Sequence, residues 1–317
     1  MTPQPKEQFI QKMKILLKDK KDLDEFFKTA KTLPFKSIRV NTLKISPDDL
    51  IKRLKEYNWN VIQPYKDHPE IIQITSNLNP GELGKSKEHL LGYYYVQEIT
   101  SMMPILALNP NENDILLDLC ASPGSKTTQA AALMNNNGNI IANDLNIGRI
   151  IILSANLERF GITNTIITRH DGEELCAKLN KNNVSFDKIL IDAPCSGEGN
   201  IRCSPRTSID WNEKLVNKFS KNQIRIANSG VKLLKPNCSM IYSTCTHSPE
   251  ENEIVVQHLL DNNNLKIEPV TLPIKTRPGL TKYKEHIFNK DMKHAIRIYH
   301  HDNNLEGFFL CKLKKIK

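Results

Sequence analysis

Two cysteines stand in nearly matching settings. Cys195 follows Ile191-Asp192-Ala193-Pro194 and precedes Ser196-Gly197-Glu198-Gly199, while Cys245 follows Tyr242-Ser243-Thr244 and precedes Thr246-His247-Ser248-Pro249. Each comes just after a short apolar run of the kind that forms a buried strand, and next to turn formers, so each thiol is expected just past the carboxyl end of a strand, facing one crevice. A cysteine alone is most often a small buried hydrophobe. A pair at equivalent positions suggests covalent chemistry, because a thiolate is a good nucleophile once its surroundings lower a pKa that is ordinarily about 8.5. A helix start expected at Ser248-Pro249-Glu250-Glu251, with a capping serine, a proline at the first position and a glutamate at the third, would bring a positive helix end near Cys245. His247 is a second candidate base, and Asp192 places a carboxyl beside the first thiol.

A different loop suits a ligand. The run Ile115–Leu119 leads into Cys120-Ala121-Ser122-Pro123-Gly124-Ser125-Lys126-Thr127, after which a helical pattern begins. A phosphate loop would need GxxxxGK[ST], and here Ser125 separates Gly124 from Lys126 with alanine at the start, which argues against nucleotide hydrolysis. In an open parallel sheet, however, ligands bind at the carboxyl ends of strands, where a glycine lets the backbone come close. The next two strand candidates end in Asn143-Asp144 and His170-Asp171-Gly172. One such aspartate is often only a helix cap. Two in successive units after a glycine loop favour an adenosine-bearing cofactor, whose ribose hydroxyls a carboxylate can accept.

The elements that must hold these residues alternate. From about Ile115 the strand candidates are Ile115–Leu119, Asn139–Asn143, Thr165–Arg169, Phe186–Ile191 and Ser239–Thr244, with helical patterns between them, including a long one from Trp211 to Lys235 closed by Pro236. Strand and helix in alternation predict an α/β fold with a doubly wound, mostly parallel sheet. Residues 1–88 read as a small separate N-terminal α+β domain, and 89–317 as the catalytic domain. In the first part, Lys12, Lys14, Lys18, Lys20, Lys21, Lys28 and Lys31 are interleaved with acids and read as a solvated helix face, while periodicity is lost through 63–87. The tail, HAIRIYHH and GFFLCKLKK, reads as two strands joined by the turn Asp302–Glu306.

With 317 residues, 39% hydrophobic and 25% charged, the chain has room for two domains. No apolar leader or bilayer-length apolar run is visible, so a cytoplasmic protein with no membrane partner is expected. Seven cysteines with no CxxC pair point to neither a disulfide framework nor a metal site. The formal charge of +9 suits a polyanion, because neutralising phosphates releases counterions.

One reaction needs two thiols, a carboxyl and an adenosine cofactor together. Carbon 5 of cytosine is a poor nucleophile until a thiolate adds to carbon 6; an acid near ring nitrogen 3, the role given to Asp192, assists that addition. From about Ser37 to the end, the chain resembles the RNA cytosine-5 methyltransferases of the Nop/Sun type. The resemblance is carried by Ile38-Arg39-Val40-Asn41-Thr42-Leu43, by Tyr95-Val96-Gln97-Glu98-Ile99-Thr100-Ser101-Met102, by DLCASPGSKTTQ, by DAPCSGEG and TCTHSPEENE, and by Gly307–Phe309. The family pattern has PGGKT where Ser125 stands and usually a proline at His300. The resemblance implies a Rossmann-like methyltransferase with S-adenosylmethionine as cofactor, bound by Cys120, Ala121, Ser122, Pro123, Gly124, Ser125, Lys126, Asp144, Arg149, Asp171 and Asp192. It implies Cys245 as nucleophile and Cys195 as the thiol that assists release. It also implies RNA as partner, with the target cytosine flipped out of its strand. Transfer RNA is expected over ribosomal RNA, because the chain has no long additional RNA-binding extension, and a monomer is expected. The alternatives are a ribosomal RNA methyltransferase or a non-catalytic RNA-binding factor that keeps the fold.

Overall fold

The computed structural model describes residues 5–316. They form two compact units: Phe35–Leu190 is one, and the chain up to Pro34 together with that from Ile191 onward is the other. This grouping differs from a division at residue 88. The reason lies in the first two helices, Glu7–Leu16 and Lys20–Thr29, whose Phe9, Met13 and Phe26 share a core with Ile201, Trp211, Val216 and Tyr299. Lys12 is not on a solvated face. It is 5% exposed and pairs with Glu250 at 2.6 Å, whereas Lys14, Lys18, Lys20, Lys21, Lys28 and Lys31 are exposed.

The unit Phe35–Leu190 opens with an antiparallel sheet of β1 (Lys36–Val40), β2 (Val61–Ile62), β3 (Ile71–Ile74) and β4 (Tyr94–Val96), in the order β2-β3-β1-β4. Ile38, Val40, Leu50, Leu54, Trp59, Ile72, Ile74 and Tyr94 form its core. β3 lies inside the stretch whose periodicity gave no strand; four residues, Ile-Ile-Gln-Ile, are too few to show alternation. Then come β5 (Ile115–Asp118), β6 (Asn139–Asp144), β7 (Thr165–Arg169) and β8 (Phe186–Asp192), with β8 crossing the division at Leu190. β5 pairs in parallel with both β6 and β8, and β6 with β7. The four strands agree with the expected ones to within a residue or so. Helices Ser125–Leu133, Ile147–Phe160 and Gly172–Lys181 connect them. Asn146 and Asp171 cap the latter two by accepting from the backbone N–H of Arg149 and Glu173.

In the other unit, β9 (Leu234–Thr244) pairs antiparallel with β15 (Phe308–Lys315), which also pairs with β14 (Ile296–Ile298) and β10 (Leu265–Glu268); β14 pairs in turn with β11 (Arg277–Pro278), and β12 (Lys282–Tyr283) with β13 (His286–Ile287). Three expectations shift here. The long helix spans Glu213–Leu233 and is capped by Asn212, whose side chain accepts from Leu215 N–H at 2.8 Å, because Trp211 is drawn into the core and its indole N–H donates to Glu198. The tail strands are shorter: β14 stops at Ile298 and His300–Asn303 makes one helical turn. The third shift, at Ser248–Glu251, belongs to the site.

Candidate active site

Within Phe35–Leu190, the loop after β5 is held from several sides. Ala121 N–H donates to Asn143 O at 2.8 Å and Gly124 N–H to Ala121 O at 2.8 Å. Gly124 has φ +99°, and a Cβ there would lie 2.9 Å from Leu153 Cδ1, so the position needs glycine. Ser122 is buried, and its Oγ has no hydrogen-bond partner among the described residues. Lys126 is buried with its ammonium donating to Ser101 Oγ at 2.9 Å. Asp144, 5% exposed, ends β6; it accepts from Asn146 N–H at 3.0 Å and pairs at 3.3 Å with Arg149, whose guanidinium also reaches Ser122 O. Asp171 ends the turn after β7, and one of its oxygens caps the following helix.

Two contributors to this loop were not assigned from the sequence. Asn143 is buried and bonds the backbone of Leu119 and of His170, tying together the ends of β5, β6 and β7. Arg39, fully buried in the RVNT block, donates to Ser125 O at 2.6 Å and Thr128 Oγ1 at 2.7 Å and bonds Gln97 of the YVQ block. Burial pulls its pKa down to about 9, which leaves it charged near neutrality. The sequence carried a signal for both, since each lies in a quoted motif, but not for what they touch.

The residues fit S-adenosylmethionine. A buried, unpartnered Ser122 hydroxyl beside a glycine loop offers a polar contact to the methionine end, and carboxylates ending β6 and following β7 suit hydroxyl and amine donors.

In the second unit, Cys195 Sγ and Cys245 Sγ lie 3.1 Å apart. Asp192 Oδ1 accepts from Ser243 Oγ at 2.8 Å, and Ala193 N–H donates to Ser243 O at 3.0 Å, which sets the DAPC segment beside the end of β9. Hydrogen bonding to Cys245 and burial push the Cys195 thiol well above its ordinary pKa, so Cys195 is held protonated. Two glycines permit this packing. A Cβ on Gly199 would lie 2.2 Å from Gly307 O and 2.9 Å from Cys245 O, and one on Gly307 2.5 Å from the His247 ring. His247 is no base for this site: its ring is buried and stacked on Tyr299 at 4.7 Å, and burial holds its pKa well below the usual value.

The expected helix start at Ser248 is a turn. The helix begins at Glu253, after Asn252. Ser248 Oγ donates to Glu198, and Glu251 accepts from Ser196 N–H and Gln223 Nε2, so both halves of the apparent capping pair are taken by tertiary partners. The helix N-terminus therefore does not directly follow Cys245.

A β-α alternation with a glycine loop after its first parallel strand and carboxylates after the next two is the arrangement of the α/β proteins that bind an adenosine-bearing cofactor at their strand ends. Residues 105–314 match the family described as 16S rRNA methyltransferase RsmB/F, and residues 5–99 match the N-terminal domain of 16S rRNA methyltransferase RsmF. The chain belongs to the RsmB/F methyltransferase family. A ribosomal RNA small subunit methyltransferase F of Vibrio parahaemolyticus is 34% identical over 310 residues, which are 97% of this chain and 62% of that protein; one of Erwinia tasmaniensis is 35% identical over 97% and 63%. The chain thus spans less than two thirds of the length of these relatives. A solved methyltransferase homolog protein of Pyrococcus horikoshii superposes with a TM-score of 0.79 at 32% identity, covering 98% of this chain and 100% of that one. Among the described residues, no helix is long and apolar enough to cross a membrane.

Proposed function

We propose that the chain transfers a methyl group to carbon 5 of a cytosine in small-subunit ribosomal RNA, by way of a covalent adduct with Cys245. The thiol pair at 3.1 Å carries this reading. Transfer RNA, the expected substrate, gives way to ribosomal RNA because the curated relatives are named for the small ribosomal subunit.

In this reading the Cys245 thiolate adds to carbon 6, and an enamine forms while Asp192 supports the charge at ring nitrogen 3. Cys120–Lys126, Asp144, Arg149, Asp171 and Asp192 would hold S-adenosylmethionine, which when bound would supply the methyl group that carbon 5 accepts. The carbon 5 proton then leaves to a base, the carbon 5–carbon 6 double bond re-forms and the bond from carbon 6 to Cys245 Sγ breaks. Cys195, held as a thiol against Cys245, assists that last phase by giving the departing sulfur a hydrogen-bond donor. Residues 1–88 serve as an aid to RNA binding, and the protein works as a monomer in the cytoplasm. Bisulfite sequencing of total RNA from cells with and without the gene tests the substrate: loss of a 5-methylcytosine in 16S RNA supports the reading, and loss confined to transfer RNA rejects it.

A further inference from the structure

Cys195 is fixed by a buried carboxyl that the reaction scheme does not use. Glu251 is fully buried. One of its oxygens accepts from Ser196 N–H at 3.0 Å and from Gln223 Nε2 at 2.9 Å; the other accepts from Ser196 Oγ at 2.5 Å. Gln223 Nε2 also donates to Pro194 O at 2.9 Å. The backbone is thereby held on both sides of Cys195, at Pro194 by Gln223 and at Ser196 by Glu251, and those two side chains bond each other. Ser196 Oγ lies 2.9 Å from Thr246 Oγ1, so the residue after one thiol touches the residue after the other. A local role at a helix start is absent, since the helix begins two residues later at Glu253.

We propose that Glu251 is a positioning residue for the release thiol: with Gln223 it fixes the segment carrying Cys195 and, through Ser196 and Thr246, the distance between the two sulfurs. The inference rests on the thiol reading above. Its direct bond is to the Cys195 segment, so its loss leaves Cys245 able to attack and slows the release. Burial raises the Glu251 pKa to about 7, so the clamp works by its hydrogen bonds whether or not it holds a proton. A glutamine preserves those bonds. Its oxygen accepts from Ser196 N–H and Gln223, and its NH2 donates to Ser196 Oγ.

The test compares Glu251→Ala with Glu251→Gln on the full chain, using 16S RNA, S-adenosylmethionine and denaturing gels. Glu251→Ala should lower kcat by about tenfold to a hundredfold, as a misplaced reacting group does, with KM for RNA unchanged. It should also accumulate a protein–RNA band that requires both RNA and cofactor. Glu251→Gln should turn over near the wild-type rate without the band. Wild-type turnover by the alanine variant overturns the proposal, as does loss of turnover without the band in a variant whose circular dichroism is native. Equal impairment of the glutamine variant also overturns it, because a charge and not a geometry would then be at work. Where Glu251→Ala fails to fold, Ser196→Ala carries the test: a slowed kcat with the band supports the clamp, and wild-type turnover, or slowing without the band, overturns it. Methylation surviving in Cys245→Ala would instead sink the thiol reading itself, whatever Glu251 does.

Discussion

At the scale of single residues, the order of chemical steps separates the two cysteines. In the proposed reaction Cys245→Ala removes the group that would activate carbon 5, so neither methylation nor an adduct should form. Cys195→Ala should still attack and accept the methyl group, then remain attached to its RNA as a shifted band on a denaturing gel. The double variant should show no band, because attack precedes trapping. The opposite pattern, with the adduct in Cys245→Ala and none in Cys195→Ala, would reverse the roles. The donor side has its own residue test. Asp144 is nearly buried at the end of β6, and its loss should weaken S-adenosylmethionine binding by about 1.5–3 kcal/mol, the scale of a hydrogen bond to a charged group. Unchanged affinity by calorimetry would remove Asp144 from the site. Arg149→Ala is expected to act in the same direction, since its guanidinium fixes Asp144 at 3.3 Å.

At the scale of elements, the start of the helix Glu253–Asn262 is held to β14 by a buried ion pair. Arg297 and Glu253 are 2% and 0% exposed and meet at 2.5 Å, and Arg297 also donates to His247 O at 2.9 Å, two residues beyond Cys245. Burial alone would lower the arginine's pKa, but the adjacent Glu253 carboxylate overcomes this and raises it. Breaking such a pair from one side leaves an uncompensated buried charge. Arg297→Met should therefore cost about 3–5 kcal/mol of unfolding free energy in a denaturant titration, with the denaturant slope unchanged. A cost under about 1 kcal/mol would mean that water reaches Glu253 and the pair behaves like a surface one.

At the scale of the whole molecule, charge and protonation act on stability and on RNA. His300 is buried, its Nε2–H donates to Phe26 O at 2.8 Å, and burial pulls its pKa from 6.5 to about 4. The folded chain keeps it neutral while the unfolded chain protonates it below 6.5. Its contribution is thus intact above pH 6.5 and is lost as pH falls toward 4, by an amount on the order of 3 kcal/mol. His300→Gln keeps a donor for Phe26 without titrating, so its stability should fall less than that of the wild type between pH 6.5 and 4.5. Parallel pH profiles would show that His300 does not account for the dependence. A net charge of +9 predicts that RNA affinity falls steeply with salt, with a log–log slope of several units. A flat titration would mark the charge as serving solubility alone.

What the sequence determined on its own was local or repetitive: β5, β6 and β8 were visible as runs with an Ile- and Leu-rich middle ending in Asp, because the middle of a strand covered on both faces is apolar, and β7, none of whose residues is buried, by its place in the alternation. The thiols and carboxylates were visible because they sit at or just past strand ends, Cys195 after β8 and Cys245 after β9. Other features depended on partners distant in the chain. Ser248 and Glu251 had the spacing of a helix cap, but Glu198, Ser196 and Gln223 compete for the same atoms and win, because a buried polar group without a partner costs more than a frayed helix start. Lys12 looked like one more surface lysine until Glu250, 238 residues away in the chain, supplied a countercharge in the core. The 3.1 Å between Cys195 and Cys245 is the plainest case, since a separation of 50 positions along the chain says nothing about a sulfur–sulfur distance. The bonds of Asp192 and Ala193 to Ser243, the pairing of β9 with β15, the close approach of Gly199 to Gly307 and the Glu251 clamp decide it.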